Sequence, residues 1–288
     1  MPELPEVETI RRGLAPLLEG RRIAALEVRK PKLFLPAPGL TAASLAGRRV
    51  GEIWRRAKFL GWELSGDLAL VFHFKLTGQV IYRAPDGRSF GAGHPIPPFD
   101  APVPGPMTHL IFSFEEGGTL YINDQRQFMR VRLLPAAEVE PFLAAYRLGP
   151  DPLREDFTVA ALNERLRARP KMPLKPLLLD QSFVAGLGNI YTDETLNAAG
   201  LHPLRRAGEL NVDEVARLHR SMIDVLGLAL RQGGAIVING RMVPLPGKDF
   251  LYVHGRAGQP CLRHAGAIVV RTVVGQRGTY LCPVCQPL

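Results

Sequence analysis

The sequence predicts an α+β protein: a β-sandwich or barrel with flanking helices, then a helical region, then a short tail bearing a β-hairpin. Three observations carry this. Short β-rich runs broken by turns fill residues 21 to 134, and helical signals take over from about residue 157. All three cysteines fall in the last 39 residues, Phe250 to Leu288. With 288 residues the chain is long enough for two compact domains and short for three. The expected division is a β-domain over 1–134, a linker over 135–156, a helical domain over 157–249 and a tail over 250–288.

The first helix is expected over residues 5 to 19. Val7, Ile10, Leu14, Leu17 and Leu18 recur at helical spacing, Pro5 suits a first turn, and Gly20 stops the helix. Strands are expected at Val50 to Trp54, Phe59 to Leu64, Leu68 to Phe74, His109 to Phe114 and Thr119 to Asn123. Gly117-Gly118 joins the last two as a hairpin. Residues 84 to 107 hold seven prolines and four glycines, which predicts a long surface loop. Helices follow at Thr158 to Arg169, at Lys175 to Phe183, from Asn189 onward, and from Asn211 to Gln232. In the last, Asn211 and Glu214 have capping-box spacing and Gly233-Gly234 closes the helix.

Composition narrows the function classes. The chain is 46% hydrophobic and 22% charged, which fits a globular protein rather than a disordered polyelectrolyte. No window approaches 18 uninterrupted apolar residues, so no transmembrane helix is expected, and the acidic, proline-bearing start is not a signal peptide. Three cysteines cannot build a disulfide framework, which points to the reducing cytosol. Lys and Arg number 36 against 27 Asp and Glu, a net charge of +9. That excess favours a polyanionic partner.

Two constellations carry chemistry. Cys261-x2-His264 and, after seventeen intervening residues, Cys282-x2-Cys285 have the spacing of a tetrahedral Cys3His zinc site. A hairpin between the knuckles would carry Arg277 near its tip, and the metal would be structural. At the other end, Pro2 follows Met1, and removal of the methionine would expose a secondary amine. An α-amino group titrates at roughly pH 8, so part of it is neutral and nucleophilic near pH 7. Glu3 and Glu6 lie beside it as candidate proton donors or acceptors. Taken alone these residues also fit an ordinary helix start, where acids answer the macrodipole.

Four segments in order resemble one family. Pro2-Glu3-Leu4-Pro5-Glu6-Val7-Glu8-Thr9, Arg56-Ala57-Lys58-Phe59-Leu60, Gly186-Leu187-Gly188-Asn189-Ile190-Tyr191 with Asp193-Glu194, and Gln276-Arg277-Gly278-Thr279-Tyr280-Leu281-Cys282 are similar to the bacterial formamidopyrimidine-DNA glycosylases, relatives of endonuclease VIII. The resemblance implies an N-terminal β-sandwich, a helix-two-turn-helix domain and a zinc finger. It implies a monomeric, cytoplasmic, nucleoid-associated DNA-repair enzyme that removes oxidised purines from double-stranded DNA, then cuts the strand by β- and δ-elimination, and meets no membrane. By resemblance Pro2 is the nucleophile at the sugar C1′, Glu3 the acid that opens the deoxyribose, and Glu6 a second acid. Lys58 pairs with Glu6 or with a flanking phosphate on the family's catalytic-lysine strand.

The same resemblance assigns Lys58, His73, Asn189 and Arg277 to phosphates around a flipped nucleotide, with Lys175 a further basic contact. An enzyme acting on a base within a duplex must extrude it and fill the gap. Leu76 stands where the family has methionine, and Arg126 with Phe128 completes the wedge, with departures at Gln125, Gln127 and Met129. Two alternatives stay open: an endonuclease VIII-like preference for oxidised pyrimidines, and a damaged-DNA binder without catalysis. The apolar stretch from Ala235 to His254 sits where relatives have a loop over the extruded base, and it favours formamidopyrimidines over 8-oxoguanine.

Overall fold

The structure is a computed structural model, and it describes residues 2–232, 237–238, 241–242 and 251–288. The chain forms two compact units, Met1–Tyr146 with Gln232–Pro246, and Arg147–Arg231 with Gly247–Leu288. The predicted α+β class holds.

In the first unit, α1 (Leu4–Leu18) precedes β1 (Ile23–Val28), β2 (Phe34–Pro36), β3 (Val50–Arg56), β4 (Phe59–Leu64) and β5 (Leu68–His73). Then come β6 (Gly78–Arg83), β7 (Ser89–Gly93), β8 (Thr108–Phe114), β9 (Thr119–Asp124), β10 (Arg130–Pro135) and α2 (Val139–Ala144). Two sheets form the sandwich. One runs β2-β10-β5-β4-β3; the other runs β1-β8-β9-β6-β7 and continues into the short strands Val237–Ile238 and Arg241–Met242. Trp62 of the first sheet bridges them, its ring 4.8 Å from Phe72 and 5.5 Å from Phe112 of the second. All three are buried, and the helix adds Val7, Ile10, Leu14 and Leu18 to the same core. This is why α1 keeps its apolar stripe and packs on β3, β4 and β7.

The proline-rich stretch departs from the expected loop. Its prolines flank residues 89–93, which keep their N–H groups and pair with β6 as β7. Gly91 is required there, because a Cβ would lie 2.8 Å from the buried Phe99. Strand β6 is buried at almost every position, so it lacks the alternation that marks a half-exposed strand. The Gly117-Gly118 hairpin stands as expected, with φ of 82° and 88°.

In the second unit, α3 (Val159–Ala168) is capped by Thr158, whose hydroxyl accepts the Ala161 N–H at 3.2 Å. Next are α4 (Leu174–Leu179), α5 (Asn189–Ala199) and α6 (Val212–Gln232). The segment expected as helix through Phe183 stops at Leu179, where Asp180 turns the chain. Asn211 and Glu214 form the expected reciprocal cap, at 2.9 and 3.0 Å. Leu166, Leu177, Leu196, Leu218 and Met222 share one core. A hairpin of two strands, Val270–Val274 and Arg277–Leu281, completes the unit. The Gly233-Gly234 stop and most of the apolar stretch before Tyr252 lie outside the described residues. Among the described residues no helix is long and apolar enough to cross a membrane.

Candidate active site and nucleic-acid interface

Helix α1 begins at a reciprocal cap. Glu3 is the cap residue, and its N–H donates to the Glu6 carboxylate at 2.8 Å. The cap holds Glu3 at 1% exposure and Pro2 buried just ahead of the helix. The expected nucleophile and its neighbouring acids therefore belong to a fixed structural element rather than to a frayed end.

Lys58 was expected on a strand. It sits instead in the two-residue turn between β3 and β4, where Arg56 pairs with Phe59. The preceding Ala57 has a φ of 53°, which non-glycine residues seldom adopt. Lys58 is nevertheless only 7% exposed. Arg55 steadies this turn: its guanidinium donates to the Ala57 carbonyl at 3.1 Å and to Glu8 of α1 at 3.1 Å. Burial pushes the Glu8 carboxyl up, but hydrogen bonds from Arg11 and Arg12 outweigh it and bring the pKa to about 2. A permanently charged Glu8 thus ties the helix to the turn that carries Lys58.

His73 lies across the ladder from Phe59, the residue after Lys58, with its ring edge-on to Phe59 at 4.7 Å. Burial, then the charges of Lys75 and Lys58, hold its pKa down to about 3. Its Nδ1 accepts the Lys75 N–H at 3.1 Å, so the proton of the neutral ring sits on Nε2. His73 is a neutral donor, not a cation, at physiological pH.

The wedge candidates come from two turns. Leu76 is half-buried in the turn between β5 and β6, while Phe128 is 45% exposed in the turn after β9. The Arg126 guanidinium lies 5.1 Å from the Phe128 ring centre. Met129, a departure from the family pattern, is fully buried.

In the second unit, Lys175, expected as a basic contact to DNA, lies in the first turn of α4. It has no exposed surface, and its ammonium meets Asp193 at 2.6 Å and the Gly278 carbonyl at 3.0 Å. The Asn189 amide, expected at a phosphate, donates to the same Gly278 carbonyl at 2.9 Å. Both side chains therefore lock the hairpin at Gly278, and the adjoining Arg277 remains exposed. Asp193 also accepts the Tyr280 N–H and meets His254, and Glu194 accepts three backbone N–H groups from Tyr252 to His254. No local pattern marks these tethers, because each joins residues far apart in the chain. Gly275 and Gln276, with φ of 55° and 62°, make the two-residue tip that sets Arg277 beside it.

Cys261, Cys282 and Cys285 converge, with their sulfurs all within 4.8 Å of one another. The Cys261 and Cys285 sulfurs are 3.6 Å apart, too far for a disulfide. Two sulfurs at about 2.3 Å from one tetrahedral ion would be roughly 3.8 Å apart, so the spacing fits a shared metal. The Arg263 and Cys285 N–H groups donate to the Cys261 and Cys282 sulfurs at 3.4 Å each. His264, the expected fourth ligand, is exposed and stands outside this group.

Comparison with known proteins points to one family along most of the chain. The formamidopyrimidine-DNA glycosylase N-terminal domain matches residues 1–131, and the formamidopyrimidine-DNA glycosylase H2TH domain matches residues 148–239. A formamidopyrimidine-DNA glycosylase of Chloroflexus aggregans is 40% identical over 294 residues, covering 100% of this chain and 99% of its own. The Lactococcus lactis formamidopyrimidine-DNA glycosylase, solved non-covalently bound to DNA containing an abasic site, superposes with a TM-score of 0.85. It is 34% identical, over 99% of this chain and 100% of that one. A variant of the Lactococcus lactis protein, solved with DNA containing Fapy-dG, gives 0.86 at 34% identity, with 100% of both chains covered. Sandwich, helix-two-turn-helix segment and cysteine finger thus define a class of DNA glycosylase. The chain belongs to the formamidopyrimidine-DNA glycosylase family.

The state of His73 makes a prediction. Its folded pKa of about 3 lies below its unfolded value of 6.5. The unfolded chain therefore binds more protons in that window, and the contribution of His73 to stability, complete above 6.5, is lost as pH falls toward 3. Imidazole NMR is expected to show no His73 titration between pH 8 and pH 5, and His73→Gln is expected to lose less urea resistance than wild type on acidification. A His73 titration near its ordinary value would contradict this placement.

Proposed function

We propose that the protein removes oxidised purines, formamidopyrimidines and 8-oxoguanine, from double-stranded DNA and then nicks the strand as an abasic-site lyase. The observation that carries this is the buried Pro2-Glu3 pair held at the capped start of α1. Family membership and relatives solved with abasic-site and Fapy-dG DNA support the substrate class.

In this reading the Pro2 nitrogen, freed by removal of Met1, attacks C1′ as the bond to the damaged base breaks. The base departs with the bonding pair and takes up the proton that the Pro2 nitrogen sheds. Glu3 protonates the ring oxygen, the sugar opens, and the nitrogen lone pair completes a cationic iminium. Glu3 and Glu6 offset that positive charge. The iminium acidifies C2′, whose proton is lost as the 3′ phosphate leaves; a second elimination expels the 5′ phosphate. Hydrolysis of the remaining iminium returns the amine. Lys58 and the Nε2–H of neutral His73 hold flanking phosphate, and Arg277 contacts the backbone from the finger. Leu76, Arg126 and Phe128 fill the gap left by the extruded nucleotide.

Cys261, Cys282 and Cys285 would hold one zinc ion, with His264 the candidate fourth ligand. Bound there, zinc supplies no chemistry to the reaction and fixes the finger that presents Arg277. Elemental analysis of unchelated protein is expected to give one zinc per chain, and protein without zinc would defeat the assignment.

The catalytic assignment is tested on two matched duplexes, one carrying an oxidised purine and one a preformed abasic site. Wild type is expected to leave a gap bordered by phosphate on both sides. Glu3→Gln is expected to lose base excision far more severely than abasic-site cleavage. Equal loss on both substrates would show that Glu3 serves the elimination steps as much as ring opening.

A further inference from the structure

Behind the two wedge turns lies a buried polar assembly that the proposed chemistry does not use. Asp124, 1% exposed, ends β9, and Thr77 precedes β6. The Thr77 hydroxyl donates to the Asp124 carboxylate and accepts the Arg126 N–H at 2.9 Å. The same carboxylate accepts the Met129 N–H at 2.7 Å. One knot therefore joins the turn of Leu76 to the turn of Arg126 and Phe128.

The knot continues inward through the next residue of each strand end. The Asn123 amide donates to Gln79 at 2.7 Å, and the Gln79 amide donates to the His94 and Pro97 carbonyls, each at 2.7 Å. Thr108 donates to the Asn123 carbonyl oxygen at 2.7 Å while accepting the Gly105 N–H at 2.9 Å. Gln79, Asn123 and Thr108 are all buried, and both amides have donor and acceptor engaged. His94, Pro97 and Gly105 belong to the proline-rich stretch, which the catalytic reading leaves without a role.

We propose that Thr77 and Asp124 are positioning residues for the wedge, and that the proline-rich segment is their buttress. The inference rests on the reading of Leu76, Arg126 and Phe128 as gap-filling side chains. Both turns contain a non-glycine residue in the left-handed region, Lys75 at 54° and Gln127 at 57°. Such conformations persist where the surroundings over-determine them, and a fully satisfied buried network does so. Thr77 and Asp124 make none of the proposed bonds to DNA. Their loss should therefore impair opening of a stacked duplex and spare chemistry on a site that needs no opening.

The experiment compares single-turnover excision of an oxidised purine from duplex with cleavage of an abasic site in single-stranded DNA. Wild type, Thr77→Ser, Thr77→Val, Asp124→Asn and Gln79→Met are assayed, and thermal melting confirms that each is folded. Thr77→Val and Asp124→Asn are expected to lower duplex excision by about 10- to 100-fold and single-strand cleavage by less than about twofold. Thr77→Ser, which keeps the hydroxyl, should match wild type. Gln79→Met should show a smaller loss confined to the duplex. Equal losses on both substrates, or no loss on either, would overturn the positioning role. An unaffected Gln79→Met would overturn the buttress. Wild-type protein inactive on both substrates would defeat the functional reading itself, and this inference with it.

Discussion

The hydrogen bond from the Glu3 N–H to the Glu6 carboxylate is the contact on which the proposed chemistry depends. A nucleophile at a chain terminus is tethered on one side only, so its position has to come from the residues behind it. A reciprocal cap at the first turn does this at little cost, because the backbone groups it engages need partners in any case. The buried stripe of α1 then fixes the helix against the sandwich. Glu8, charged and shared among Arg11, Arg12 and Arg55, carries the same constraint to the turn of Lys58.

The second unit solves a similar problem for the finger. A small hairpin buries too little to orient itself. Lys175 and Asn189 both donate to the Gly278 carbonyl, and Asp193 holds the Lys175 ammonium and the Tyr280 N–H. A fully buried ion pair is a poor source of stability, but one without its partner is strongly destabilising. The pair therefore favours one arrangement of hairpin and helix. That arrangement leaves Arg277 exposed while the residues behind it are held. Lys175 and Asn189 thus fix the hairpin through one carbonyl, that of Gly278.

Elements whose signals are local were legible in the sequence. The apolar stripe of α1, the Asn211–Glu214 cap, the Gly117-Gly118 hairpin and the cysteine knuckles each declare themselves within a few residues. Strand β6 did not, because burial on both faces removes alternation, and β7 was hidden by the prolines around it. The candidate site follows the same rule. Pro2, Glu3 and Glu6 are adjacent or nearly so in sequence, so their grouping at the start of α1 is legible there. The Thr77–Asp124 contact spans 47 residues, and the Asn189–Gly278 contact spans 89. A lone threonine or aspartate carries no mark of its partner. The exposed setting of His264, apart from the three cysteines, was equally unforeseeable from spacing that suits a fourth ligand.

The central claim is that the nitrogen of residue 2 forms the covalent bond to DNA. It is tested most directly by reducing the reaction with borohydride on an abasic-site duplex and mapping the adduct by peptide mass spectrometry. The starting protein is sorted by intact mass into chains with and without Met1. The account predicts one adduct, on the peptide that begins at Pro2, and none in chains that keep Met1. An adduct on Lys58 or another lysine, or full trapping of the methionine-bearing chain, would contradict it.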